Sequence, residues 1–253
     1  MRKTETIWLI PARGGSKGIP GKNVKSFCGR PLVCMSVDQA LTLAEPDDIV
    51  FVSTDDDTIA KAAETCGPVV PFRRPDRLAT DTASTYDVII HALDEFEQRG
   101  KRFDRVVLLQ PTSPLRSLDD IRNAISLWSP EIDMVVSVCE ARTNPYYNAF
   151  ETAPDGTLHI SKGEGTYTRR QDAPKVWEYT GAVYVMTVKS LRKGPMSSFK
   201  KIIPSPMDAE RAVDLDTPID WIIAEALFRD KQSHIENANH LSDTSDDTSR
   251  RDA

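Results

Sequence analysis

Long apolar runs, paired cysteines and motif histidines are all scarce in this chain of 253 residues. No apolar run approaches the ~20 residues that a membrane-spanning helix needs. Met1-Arg-Lys-Thr-Glu-Thr leads straight into an apolar strand pattern rather than a secretory h-region, so a cytoplasmic protein with no membrane partner is expected. Cys28, Cys34, Cys66 and Cys139 are scattered without a C-x-x-C pair, which argues against a metal cluster or disulfide framework and for reduced thiols. His91 falls within a helical pattern and reads as a packed residue, while His159, His234 and His240 lie outside every motif. The formal net charge of −6 argues against a nucleic-acid coat. No internal repeat is evident.

Charge is nevertheless concentrated where it counts. Arg2, Lys3, Arg13, Lys17, Lys22, Lys25 and Arg30 oppose only Glu5 in the first thirty residues. Within that stretch the apolar run Ile7–Ile10 enters a loop carrying Gly14, Gly15, Gly18 and Gly21, interleaved with Arg13, Lys17 and Lys22. Glycines let backbone N–H groups approach an anion, and cations supply the charge a polyphosphate requires. The loop is not a Walker P-loop, because Gly15 and Gly21 are too far apart and Asn23 follows Lys22 where a hydroxyl is needed. No register of its glycines fits the dinucleotide fingerprint G-x-G-x-x-G either. A triphosphate cradle at the carboxyl end of a first strand is the remaining reading.

Short β-branched runs at Ile7–Ile10, Ile49–Val52, Val106–Leu109 and Met134–Val138 read as buried parallel strands. Helical patterns alternate with them. Ser84-Thr-Tyr-Asp87, Ser117-Leu-Asp-Asp120 and Thr217-Pro-Ile-Asp220 have the spacing of helix starts, each ahead of apolar residues at helical intervals. Asp55-Asp-Asp57 resembles a D-x-D metal motif but reads better as an N-cap and first-turn acids of a helix from Thr58. The pattern predicts an α/β fold: a Rossmann-like, mostly parallel sheet with helices on both faces. Residues 140–176 interrupt the rhythm and form an insertion too long for a casual connection. The domain is expected to span 1–231, and the polar stretch 232–253 to be a disordered tail.

Pro11-Ala-Arg-Gly-Gly-Ser-Lys-Gly-Ile-Pro-Gly-Lys-Asn23 resembles the N-terminal signature of the acylneuraminate (CMP-sialic acid, CMP-nonulosonate synthetase) family of cytidylyltransferases. The likeness continues through Arg74-Pro75, Asp81-Thr-Ala-Ser84, Gln110-Pro-Thr-Ser-Pro-Leu-Arg116, Arg169-Arg-Gln-Asp172, Gly181-Ala-Val-Tyr184 and Asp214-Leu-Asp-Thr217. These blocks cover about residues 5 to 228 in the family's order. The related Kdo enzymes carry Ser-Thr-Arg-Leu-Pro-Gly-Lys-Pro where this chain has Ser-Lys-Gly-Ile-Pro-Gly-Lys-Asn, which favours the sialic-acid-like branch.

The resemblance implies a nucleotide-diphospho-sugar transferase fold and a reaction joining CTP to the anomeric hydroxyl of a nonulosonic acid, with release of pyrophosphate. It implies that Arg13, Gly14, Gly15, Ser16 and Lys17 hold the triphosphate, and that Lys22, with Arg13, neutralises charge in the transition state. Asn23, Arg74, Ser84 and Thr85 would hold the nucleotide. Asp214 and Asp216, at i and i+2, would face the same side of a strand and share Mg²⁺ with phosphate oxygens. Residues 140–176 would be a small protruding dimerisation arm, reaching the partner's site in a homodimer.

Gln110, Arg170 and Tyr184 are the candidates for the sugar end. Tyr147 stands where family members often carry lysine, and Thr180 where asparagine usually precedes Gly-Ala, with Glu178 close by. Those departures suit a differently decorated nonulosonate, legionaminic acid being the first candidate. A Kdo-like or hexose-1-phosphate nucleotidyltransferase and a catalytically silent nucleotide-binding relative are the alternatives.

Overall fold

The β-branched runs become the strands of a central sheet. β1 (Thr6–Pro11) lies between β4 (Ile49–Ser53) and β5 (Arg105–Leu109) and pairs parallel with both. Between β1 and β4 come a tiny hairpin, β2 (Ser26–Phe27) and β3 (Arg30–Pro31), and then α1 (Leu32–Leu43). α2 (Asp57–Glu64) and α3 (Thr85–Gln98) separate β4 from β5, and α4 (Leu118–Ser126) leads to β6 (Met134–Glu140). The hairpin β7 (Phe150–Thr152) and β8 (Leu158–Ile160) precedes the long strand β9 (Trp177–Thr187). α5 (Val188–Leu191), β10 (Ile202–Pro206) and α6 (Pro218–Thr248) complete the chain. This computed structural model describes residues 4–67 and 70–248.

The sheet order is β10-β6-β9-β5-β1-β4, and β9 alone runs antiparallel to its neighbours. Side chains alternate across it, as strand geometry dictates. Trp8 and Ile10 of β1 join Val107 and Leu109 of β5 in a core covered by α1, α2 and α4. Ile7 and Leu9 join Val106 and Leu108 in a second core, under α3 and α5. Helices therefore cover both faces, as the alternation of patterns predicts. A third cluster packs Trp221 and Ala224 of α6 on Phe27, Leu32 and Ile19, which anchors the last helix beside the glycine-rich loop.

The helix starts follow the sequence. Ser117 and Asp120 form a reciprocal capping box, and Ser84 Oγ accepts the Asp87 N–H at 3.1 Å. Asp56 caps α2 through the Thr58 and Ile59 N–H groups.

One expectation needs correction. Cys34 of α1 and Cys66, just beyond α2, form a disulfide across 32 residues of sequence, with Cα atoms 6.0 Å apart. No spacing motif marks them, because the pairing arises only from the packing of α1 against α2. Cys28 and Cys139 are free. The expected domain boundary at Gln232 falls within α6, which is helical to Thr248. Once a packed helix exists, each further residue adds one backbone hydrogen bond without a new nucleation cost. Polar composition alone does not stop it. Residues 249–253 of the expected tail lie outside the described residues.

Candidate active site

The carboxyl ends of β1 and β4 open a crevice, and the chain after each strand lines it. The Ala12 N–H donates to Ser53 O at 2.9 Å, carrying the ladder past β1 into the glycine loop. Asp55, the first residue of the Asp55-Asp-Asp57 run, accepts the Gly14 N–H at 3.2 Å and pairs with Arg74 Nη2 at 3.4 Å. The capping reading therefore holds for Asp56, whereas Asp55 fixes the glycine-loop backbone and an arginine, which the sequence pattern did not reveal. Arg74 is only 5% exposed, and burial lowers its pKa while Asp55 opposes that shift. Arg73 points outward to Asp57.

The distal half of the loop docks on residues 214–216. A Cβ placed on Gly18 would run into the Asp216 carbonyl oxygen, a backbone atom, so the close approach requires glycine there. Lys22, 9% exposed, donates to the Leu215 carbonyl and lies 3.8 Å from Asp216 Oδ1. Asn23, also buried, donates from Nδ2 to Arg13 O at 3.0 Å, which ties the two ends of the loop together.

The resulting cleft has a volume of about 440 Å³. It brings together Arg13, Ser16, Lys17, Lys22 and Asn23 from the loop with Arg74, Thr85, Gln110 and Asp216. Thr112 and Asp81 line it as well; both lie in blocks that carry the family likeness, but the sequence assigned neither a role. Gly14 supports the cradle from behind through Asp55, while Gly15 lies exposed and outside the cleft lining. Ser84 is occupied as the α3 cap, its hydroxyl donating to Asp87 Oδ2 at 2.8 Å.

Asp214 and Asp216 flank the buried Leu215 and come from an irregular segment rather than a strand. Leu215 N–H donates to Thr112 O at 2.8 Å, which pins this segment beside the 110–113 turn. Asp214 keeps a solvent-facing edge, yet burial by the surrounding protein raises its pKa, with Asp216 adding to the rise. The Thr112 hydroxyl and Lys22 act in the opposite direction. No cluster of three or more His, Cys, Asp or Glu side chains forms a closed metal site among the described residues. Asp216 lines the cleft and Asp214 stands two residues before it on the same segment, a pair of carboxylates that fits a Mg²⁺ ion taking its other ligands from a bound anion and water.

The sugar-end candidates divide. Gln110 lines the cleft, and Tyr184 stands close enough to Asp214 to feel its charge, its hydroxyl pKa raised chiefly by burial. Gly181, at φ +73°, faces Asp214 Oδ2 and Ser113 Oγ within a register shift between β6 and β9. Thr180 is turned inward instead: its hydroxyl is 2.7 Å from Ser137 Oγ inside the sheet. Glu178 Oε1 accepts from the Cys139 thiol at 3.3 Å, and Cys139 is pushed up to about 11 by burial and that carboxylate. Tyr147 lies in the turn begun by Asn144, and Arg170 is exposed on a 3-10 turn, so neither joins the cleft lining of this single chain.

Arg116 is a buried organiser that the motif Gln110–Arg116 carries without announcing its job. Its Nη1 donates to Gln110 O at 2.6 Å and Ser113 O at 3.0 Å, holding the turn that presents Gln110 and Thr112.

Comparison with known proteins identifies the family and the fold. A family model described as cytidylyltransferase matches residues 7–242. The chain is 33% identical over 221 residues to a CMP-N,N'-diacetyllegionaminic acid synthase of Legionella pneumophila, covering 87% of this chain and 94% of the relative. It is 32% identical over 220 residues to an N-acylneuraminate cytidylyltransferase of Streptococcus agalactiae, covering 85% of this chain and 51% of the relative. A solved CMP:2-keto-3-deoxy-manno-octonic acid synthetase, complexed with CTP, shares the fold with a TM-score of 0.67 at 16% identity, covering 90% of this chain and all (100%) of the other.

Proposed function

This chain belongs to the cytidylyltransferase family, and from that premise we propose that it activates a nonulosonic acid with CTP. The anomeric 2-hydroxyl oxygen of the sugar acid attacks the α-phosphorus of CTP. A new P–O bond forms, the bond to the β-phosphate bridge oxygen breaks, pyrophosphate leaves with the electron pair, and the hydroxyl proton is released. The products are the CMP-sugar and pyrophosphate. One observation carries this reading: Arg13, Lys17 and Lys22 converge on a cleft that also holds Gln110 and Asp216.

Phosphoryl chemistry of this kind asks mainly for positioning and charge neutralisation. Arg13, Ser16 and Lys17 grip the triphosphate from the loop, with the Gly14 and Gly15 backbone shaping it. Lys22, fixed by the Leu215 carbonyl, meets the charge that grows on the phosphates as the bond breaks. Arg74 and Asn23 support the nucleotide, and Thr85 reaches the cleft from the start of α3. Asp214 and Asp216 would hold Mg²⁺, which supplies charge neutralisation at the phosphates and acidifies the attacking hydroxyl. Gln110 and Tyr184 face the sugar, and the legionaminic-type acids are the preferred class.

The exposed Phe150 (56%) and Leu158 (67%) of the β7–β8 hairpin support a homodimer in which the 140–176 arm packs on a second copy and carries Tyr147 and Arg170 to its site. A CTP-dependent reaction fits the cytoplasm, the compartment expected from the sequence. The test is pyrophosphate release from CTP, UTP or GTP with N-acetylneuraminate, legionaminate and pseudaminate as acceptors. Release with CTP and one nonulosonate supports the reading. Equal use of UTP, or no release with any acceptor, overturns it.

A further inference from the structure

Asp81 lies in the turn between a 3-10 segment (Asp76–Leu78) and α3, on the rim opposite the glycine loop. Its carboxylate spans the cleft. Oδ1 is 2.8 Å from Arg13 Nη1, and Oδ2 is 2.5 Å from Lys17 Nζ. One anionic group thus divides its two oxygens between two cations, as a phosphate held by an arginine and a lysine divides its own.

The fold gives this carboxylate little else to do. α3 is capped by Ser84 and takes Asp87 as its first-turn acid, so Asp81 serves neither purpose. Lys17 is 81% exposed and Asp81 is 43% exposed, and ion pairs so open to water add little to stability. Meanwhile an anion at the mouth of a polyphosphate site opposes the ligand by simple Coulomb repulsion. A carboxylate in that place makes sense if it is exchanged during turnover. The ion pairs hold its pKa below the usual carboxylate range, chiefly through the hydrogen bond from Lys17, so it stays anionic.

Resting on the reading that Arg13 and Lys17 grip the triphosphate, we propose that Asp81 is a built-in phosphate stand-in. It occupies both cations in the empty site, yields them to the incoming triphosphate, and competes for them again when pyrophosphate is the product to be released. Only the fraction of molecules with Asp81 swung off the cations binds polyphosphate, so the apparent affinity is reduced by that fraction. The device trades nucleotide affinity for faster product departure.

Calorimetric titration of inorganic pyrophosphate into the full chain and into Asp81→Asn tests this. The expected result is about three- to tenfold tighter pyrophosphate binding by Asp81→Asn, with unchanged affinity for cytidine, which carries no phosphate. In an Arg13→Met/Lys17→Met background the same Asp81→Asn change should do nothing. Equal or weaker pyrophosphate binding by Asp81→Asn overturns the proposal, and so does tightening that survives loss of both cations. A wild-type protein that binds neither pyrophosphate nor CTP would instead sink the triphosphate assignment itself, and the stand-in with it.

Discussion

Lys22 is held from two directions, by the Leu215 carbonyl and by Asp216, before any substrate arrives. Preorganised charge of that kind acts mainly on the transition state, because no reorganisation is needed when the phosphate charge develops. Lys22→Ala should therefore lower kcat by about 100-fold or more while CTP affinity, measured by calorimetry, changes far less. Equal losses in both would reassign Lys22 to ground-state binding. Asp214 yields a prediction with opposite signs for stability and activity. Burial raises its pKa, so the folded state holds a proton there more tightly than the unfolded chain does. Stability from this group is then gained as pH falls through the raised pKa and is absent above it. Asp214→Asn should raise the Tm of the metal-free protein at neutral pH while abolishing turnover. In the intact enzyme, the acid-side fall of kcat/KM should be shifted upward in pH by the raised Asp214 pKa, and extra Mg²⁺ should push that fall to lower pH, because metal and proton compete. A Tm lowered by Asp214→Asn, or an acid limb indifferent to Mg²⁺, contradicts the assignment.

Elements differ in how openly the sequence displays them. β1, β4, β5 and β6 are legible because each is a short apolar, β-branched run buried on both faces. β9 is not, because its first half is exposed and Gly181 breaks the pattern at the register shift. β10 escapes detection because Pro204 and Pro206 speak against a strand, and they are tolerated since β10 is an edge of the sheet. Similar logic applies to the site. The glycine loop advertises itself through local glycines and cations, whereas Asp55, Thr112 and Arg116 act through contacts between segments distant in sequence. The Cys34–Cys66 bond belongs to the same hidden class. It closes a loop across 32 residues, so its reduction should destabilise the protein by roughly 3 kcal/mol. Thermal unfolding with and without reductant checks this, and an unchanged Tm would mean that α1 and α2 are held by packing alone.

At the scale of the whole molecule, the cleft of one chain gathers the cations proposed to hold the triphosphate but leaves Tyr147 and Arg170, within the 140–176 insertion, outside its lining. The proposed homodimer resolves that separation by letting each arm serve the other copy. Phe150→Asp/Leu158→Asp should convert a dimer to a monomer in analytical ultracentrifugation and raise the KM for the sugar acid more than that for CTP. A double variant that stays dimeric places the interface elsewhere. The acceptor is the part of the function least visible in the sequence, since the glycine loop, proposed to hold the nucleotide, says nothing about the sugar. The central claim therefore stands or falls on one measurement: the mass of the product formed from CTP, Mg²⁺ and an equimolar mixture of N-acetylneuraminate, legionaminate and pseudaminate. The expected result is a CMP-nonulosonate, with the legionaminate adduct in excess. Pyrophosphate-free mixtures with every acceptor unchanged would contradict the account.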